Sequence, residues 1–246
     1  MTNFTITIVS DPVCPWCYIG QKRLNKAISL YKKVYPGGRA DTFTVTWKAF
    51  YLDASAPAQG ITWDQRLRQK LAASKPGRAA AETDQLVVQL RDHLASTGRP
   101  EGIEFSFAGL IGNTRSAHRA IAFSKRARAG AEPTPDPDAD VHNRFVAALF
   151  AAYFEGTADI TSHAALADVA ASVGLGRAEM LAWLDDGKGG EEVDEEDRAA
   201  RELGLQGVPN LIVQGVTMQG ASDIQDLLEV FTKVKEEERE RAQEQI

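Results

Sequence analysis

Cysteine is scarce in this chain. Its 246 residues hold two, Cys14 and Cys17, alongside four histidines. Two cysteines exclude a disulfide scaffold. A structural zinc site needs four ligands, typically two Cys-x-x-Cys pairs or one pair with spaced histidines. No third cysteine exists, and His93, His118, His142 and His163 show no ligand spacing, so no metal is expected. Positive charge is not in excess either. The formal net charge is −6 and the basic residues form no stripe, so nucleic acid is not an expected partner. Long apolar runs are missing too. The longest, FVAALFAAYF at 145–154, is about half a membrane span and reads as a buried helix, so no membrane partner is expected. The opening MTNFTITIVS lacks the basic and long apolar regions of a secretory signal. It reads as a first strand, and the expected location is cytoplasmic, where thiols stay mostly reduced.

The hydrophobic fraction of 43% is enough for one large domain or two modest ones. FTITIVS (4–10) is rich in β-branched residues and reads as a strand bounded by Asp11-Pro12. From about Pro15 to Tyr35 apolar residues recur near helical spacing, until Pro36-Gly37-Gly38 stops them. TFTVTWKAF (42–50) alternates and reads as a second strand. The texture then turns to Ala, Leu, Arg and Glu. Helices are predicted near 62–74, 82–97, 114–130, 139–155, 163–173, 177–185 and 190–203. IEFSF (103–107) reads as a short extended piece. EPTPDPD (132–138) reads as a stiff loop, with Asp138 or Asp140 as a cap for the next helix. Two short β runs around Gln214-Gly215 suggest a hairpin, and a last helix starts near Ser222-Asp223. The order is β-α-β, a helical block, then β-β-α. The expected fold is α/β: residues 1–60 and 205–246 form one small sheet domain, and 61–204 is an all-helical insertion.

Cys14 and Cys17 flank Pro15 and Trp16 where the first strand gives way to the first helix. Unpartnered N–H groups and the helix dipole at such a junction stabilise a thiolate, the species that attacks a disulfide. Cys17 lies one turn on and can resolve a mixed disulfide. Pro15 suits the first helical turn. Trp16 is expected to shield the sulfurs and offer an apolar contact to a peptide. A redox pair therefore fits better than a zinc half-site or two inert thiols.

CPWC after a strand, a long helical insertion and GVPNLIV before a hairpin together resemble the thioredoxin superfamily. The arrangement is most similar to DsbA-like oxidoreductases of the FrnE-like subgroup. GNTRSAHRAIAFSK (112–125) and ALFAAYFEGTADIT (148–161) share the likeness, which covers nearly the whole chain and is weakest at 55–100 and in the C-terminal tail. The resemblance implies a thioredoxin-like fold and disulfide exchange with protein or small thiol substrates, with no cofactor beyond the Cys14–Cys17 disulfide itself. A proline before a strand is ordinarily trans. The resemblance instead implies a cis Pro209 facing the cysteines, with the Val208 backbone open to an extended substrate. It also places Asn113 and His118 near the substrate cleft. Asp11 either caps the loop or, if it approaches Cys14, opposes the helix dipole there. Phe145, Phe150, Tyr153 and Phe154 read most simply as core.

Two other readings differ in class. One is a glutathione-dependent transferase or isomerase of the kappa and 2-hydroxychromene-2-carboxylate isomerase type. Those typically carry serine at the position of Cys14 and lack the second cysteine, so CPWC argues against them while leaving glutathione open as a substrate. The other is a holdase-like chaperone. In a reducing cytosol, reduction or isomerisation is the expected direction of exchange. Monomer and homodimer both stay open.

Overall fold

The computed structural model describes residues 1–128 and 139–244. Strand β1 (Asn3–Ser10) and strand β2 (Thr42–Ala49) pair in parallel, with Phe4 opposite Phe43 and Ile8 opposite Trp47. Strand β5 (Asn210–Val213) pairs antiparallel to β1, and β6 (Val216–Gln219) pairs antiparallel to β5, so the sheet order is β2-β1-β5-β6. Alternation explains the strands: Phe43, Val45, Trp47 and Ala49 of β2 are buried and the residues between them are not. Gln214 and Gly215 both take positive φ (43° and 89°) and close the β5–β6 hairpin in two residues.

Helix α1 (Pro15–Val34) follows β1, and α9 (Ile224–Glu244) closes the chain and packs beside α1. Between β2 and β5 come α2 (Trp63–Ser74), α3 (Ala80–Gly98), α4 (Arg115–Ala127), α5 (Val141–Phe154), α6 (His163–Ser172), α7 (Arg177–Asp185) and α8 (Gly190–Glu202). Local signals set several of their starts. Thr62 and Gln65 form a capping box on α2, and Asp140 accepts the His142 N–H at the start of α5. The expected loop at 132–138, with Asp138, and the end of the expected 114–130 helix beyond Arg128 lie outside the described residues.

One expectation fails: the insertion at 61–204 is not all-helical. Residues 103–107 take no regular secondary structure, and the Ser106 N–H and hydroxyl donate to the end of α5, at the Phe154 carbonyl. The second, two-stranded sheet lies elsewhere: β3 (Ile61–Thr62) pairs antiparallel to β4 (Leu110–Ile111). Strands of two residues are too short to show a period.

Phe145, Phe150, Tyr153 and Phe154 of α5 are all buried, in the same core as Phe4, Ile6, Trp47 and Leu211 of the sheet. That burial explains why α5 is apolar on most sides. Helix α8 covers the free edge of β2: Glu196 accepts from the Ala49 N–H at 3.0 Å and from Lys48 Nζ at 2.7 Å, and Asp197 accepts from the Tyr51 N–H at 2.7 Å. Among the described residues, no helix is long and apolar enough to cross a membrane.

Candidate active site

The site forms where β1 ends and α1 begins. Cys14 is the N-cap of α1, with extended φ and ψ of −88° and 113°, and Pro15 opens the helix. The Cys14 carbonyl accepts from the Cys17 and Tyr18 N–H groups at 3.0 and 3.3 Å, which holds Cys17 one turn on. Both cysteines are free and almost fully buried. Cys14 makes no side-chain cap to its own helix. Its thiol donates at 3.5 Å to the Val208 carbonyl, just before β5, whose Asn210 pairs with Val9 at the end of β1. A protonated thiol is a donor, so a carbonyl suits it better than the helix N–H groups do.

The Val208–Pro209 peptide is cis, and Pro209 packs at Gly20 of α1. A side chain at Gly20 would meet Pro209 Cγ at 3.6 Å, ordinary contact. An open depression of about 340 Å³ lies beside this turn, lined by Leu205, Gln206, Gly207, Val208 and Asn210 among others. Trp16 is half-buried. It tilts against His93 of α3 at 5.7 Å and packs on the cluster of Trp63, Val87 and Leu94, tying the motif to the first two helices of the insertion.

The two thiols are not equivalent. Burial pushes the Cys17 thiol well above its ordinary value, and the neighbouring Cys14 sulfur pushes it further. The Ser10 hydroxyl and the Asp11 backbone N–H act the other way without prevailing. Ser10 ends β1 and was not singled out in the sequence, although its place at the strand end beside the motif is a usable signal.

The Asp11 side chain caps the loop between β1 and α1. Its carboxyl is buried and accepts from the Leu52 N–H at 2.8 Å, the Val13 N–H at 3.3 Å and the Thr114 hydroxyl at 3.4 Å. His118 Nε2 lies 3.7 Å from Asp11 Oδ1 and has no hydrogen-bond partner among the described residues. Burial pushes Asp11 up to about 7 against those three donors, and burial pushes His118 down to about 4 although its ring donates to the Phe50 backbone. Below about pH 7 both groups of the pair are therefore neutral. The structure thus brings His118, itself 3% exposed, to the residue three before Cys14. Asn113 uses its side-chain oxygen to accept from the Arg115 N–H at 2.9 Å, at the start of α4.

This pair sets a pH prediction. Unfolded, Asp11 titrates near 3.8, and folded near 7. Between those values only the folded chain holds the proton, so the Asp11 contribution to stability falls as pH rises, by on the order of 4 kcal/mol across the window. His118, and likewise buried His142 at about 3, run oppositely: their contributions fall as pH drops below their ordinary value of 6.5. Comparing Asp11→Asn with the parent isolates the Asp11 contribution. The variant should gain stability relative to the parent between about pH 4 and 7 and then level off. Urea unfolding in mildly acidic, near-neutral and mildly alkaline buffer reads this. A constant offset across all three would contradict a buried proton on Asp11.

The family model described as the DSBA-like thioredoxin domain matches residues 5–232. Among solved structures, the chain is similar to a "probable DsbA oxidoreductase" from Streptomyces coelicolor, with 22% identity, 94% of this chain and 89% of that one covered, and a TM-score of 0.75. It is also similar to a 2-hydroxychromene-2-carboxylate isomerase (19% identity, 97% and 98% covered, TM-score 0.62) and to DsbA from Chlamydia trachomatis (10% identity, 96% and 87% covered, TM-score 0.52). At these identities the solved structures speak to the fold alone. No curated protein matches the sequence.

Proposed function

Because the chain belongs to the DSBA-like thioredoxin domain family, we infer that it is a thiol–disulfide oxidoreductase using Cys14 and Cys17. The observation that carries the reading is the asymmetric dithiol at the start of α1: Cys14 lies against Val208, and burial holds Cys17 protonated. In the reducing direction the Cys14 thiolate attacks one sulfur of a substrate disulfide. A mixed disulfide forms, and the first substrate thiolate leaves and takes a proton. Cys17 then loses its proton and attacks the Cys14 sulfur. The second substrate thiol departs, and the two electrons leave a Cys14–Cys17 disulfide. Oxidation of a substrate dithiol runs the same steps backwards.

The protonated Cys17 makes resolution the gated step, so the mixed disulfide persists until its thiol gives up the proton. The Val208 carbonyl, bonded to Cys14 in the free protein, becomes available to an extended substrate backbone when Cys14 reacts, in the manner of strand addition. The depression beside it, lined largely by the loop leading to β5, suits a peptide or a small thiol such as glutathione. The FrnE-like assignment rests on the sequence motifs.

The test is equilibration of the purified protein in glutathione redox buffers, with the Cys14–Cys17 state read by thiol alkylation and mass. A reversible transition between dithiol and intramolecular disulfide, with catalysed insulin reduction, is the expected result. Absence of any exchange in either direction would overturn the reading.

A further inference from the structure

Away from the cysteines, three side chains from three helices form a hydrogen-bonded chain. Ser116 Oγ lies 3.0 Å from His163 Nε2, and His163 Nδ1 lies 2.7 Å from Asp185 Oδ1. Ser116 is the second residue of α4, His163 the first of α6 and Asp185 the last of α7. The partners are 47 and 22 residues apart, so this is no local turn chemistry. A carboxylate only accepts, so in the neutral imidazole Nδ1 carries the proton and Nε2 is left to accept from the serine hydroxyl. That is the connectivity and spacing of a serine nucleophile, its base and the group that orients the base.

The surroundings fix all three. Ser162 caps α6 by accepting from the Ala165 N–H at 3.3 Å, which sets His163 in the first turn. Arg119, buried one turn after Ser116, donates to the Leu184 and Trp183 carbonyls at 2.6 and 3.1 Å and to the Lys188 carbonyl at 2.8 Å. Helix α4 thus carries the hydroxyl and also clamps the segment that presents Asp185. Thr114, the N-cap of α4, gives its hydroxyl to Asp11 and leaves α4 without a side-chain cap. The Ser116 N–H, in the first turn, therefore has no intrahelical acceptor and is a donor beside its own Oγ.

We propose that Ser116, His163 and Asp185 form a second catalytic site that hydrolyses small activated carboxylic esters. Ser116 Oγ bonds to the acyl carbon while its proton passes to His163 Nε2, and the carbonyl electron pair moves to oxygen, facing the Ser116 N–H. Collapse breaks the bond to the alcohol, which leaves with the proton from Nε2. Water repeats the sequence on the acyl-serine, releasing the acid and restoring the hydroxyl. Asp185 is the positioning residue. The site opens to solvent, with the His163 side chain 31% and that of Asp185 61% exposed, so it suits a compact acyl group delivered from bulk water.

The test uses the full chain with Cys14→Ser and Cys17→Ser, which removes acyl transfer to the thiols. p-Nitrophenyl acetate hydrolysis is measured with and without Ser116→Ala, His163→Gln or Asp185→Asn. A fluorophosphonate probe is followed by mass to the labelled peptide. Expected are covalent labelling at Ser116 and a fall in kcat of about 10²-fold or more for Ser116→Ala and His163→Gln. A smaller fall is expected for Asp185→Asn, with KM unchanged. In the parent with both cysteines, Ser116→Ala should leave disulfide exchange intact. Hydrolysis equal in all variants, or no label on Ser116, would overturn the proposal and leave the three residues as a tether between helices.

Discussion

Cys14→Ser is expected to abolish disulfide exchange, with insulin reduction falling on the order of 10³-fold or more, to the uncatalysed rate. Serine at that position is close in size and can still donate to the Val208 carbonyl, so the fold should keep its stability while the nucleophile is gone. Cys17→Ser should behave differently. Cys14 can still attack, but nothing resolves the product, so a mixed disulfide with substrate or glutathione should accumulate. Its mass would locate the adduct on Cys14. The asymmetry follows from position. Cys14 sits at the helix cap against Val208, whereas Cys17 is 1% exposed and held protonated by burial and by its neighbour. Adducts found on Cys17 in the Cys14→Ser variant at a comparable rate would reverse the assignment.

The largest expected loss of stability comes from the far end of the sheet. Asp41, just before β2, is fully buried and accepts from Lys235 Nζ of α9 at 2.5 Å, from the Thr2 N–H at 2.7 Å and from the Tyr31 hydroxyl at 3.0 Å. One carboxylate thus joins the N-terminus, α1, β2 and the last helix, beside the ring cluster of Phe4, Phe43 and Phe231. Burial alone would raise the Asp41 carboxyl. Lys235, the Thr2 N–H and the tyrosine outweigh it and hold it below its ordinary value. Its contribution is therefore present above about pH 4 and lost as pH falls through the lower folded value. Lys235→Met keeps the apolar stem but strands the carboxylate, and should cost about 3–5 kcal/mol near neutral pH. Adding Asp41→Asn should recover most of that, because the buried charge leaves with its partner. Urea unfolding of the two single variants and the double variant measures the coupling. Additive losses would show that the pair is not coupled.

Much of this architecture was legible in the sequence because its signals are local. The alternation in TFTVTWKAF, the stop at Pro36-Gly37 and the apolar run at 145–154 each reflect the surface that a segment buries by itself. The strand-to-helix position of Cys14 and Cys17 was legible for the same reason. Where a segment is too short to show a period, as at β3 and β4, the reading failed.

The sequence by itself determined the order of elements, most helix boundaries and the dithiol at the head of α1. Only the tertiary structure decided which groups from distant parts of the chain bond to one another. Val208, 194 residues on, accepts from Cys14; Thr114 and His118 close around Asp11; and Ser116, His163 and Asp185 come together from three helices. Periodicity records which face of an element is apolar. It carries no record of which partner will cover that face, because that depends on packing summed over every layer of the fold.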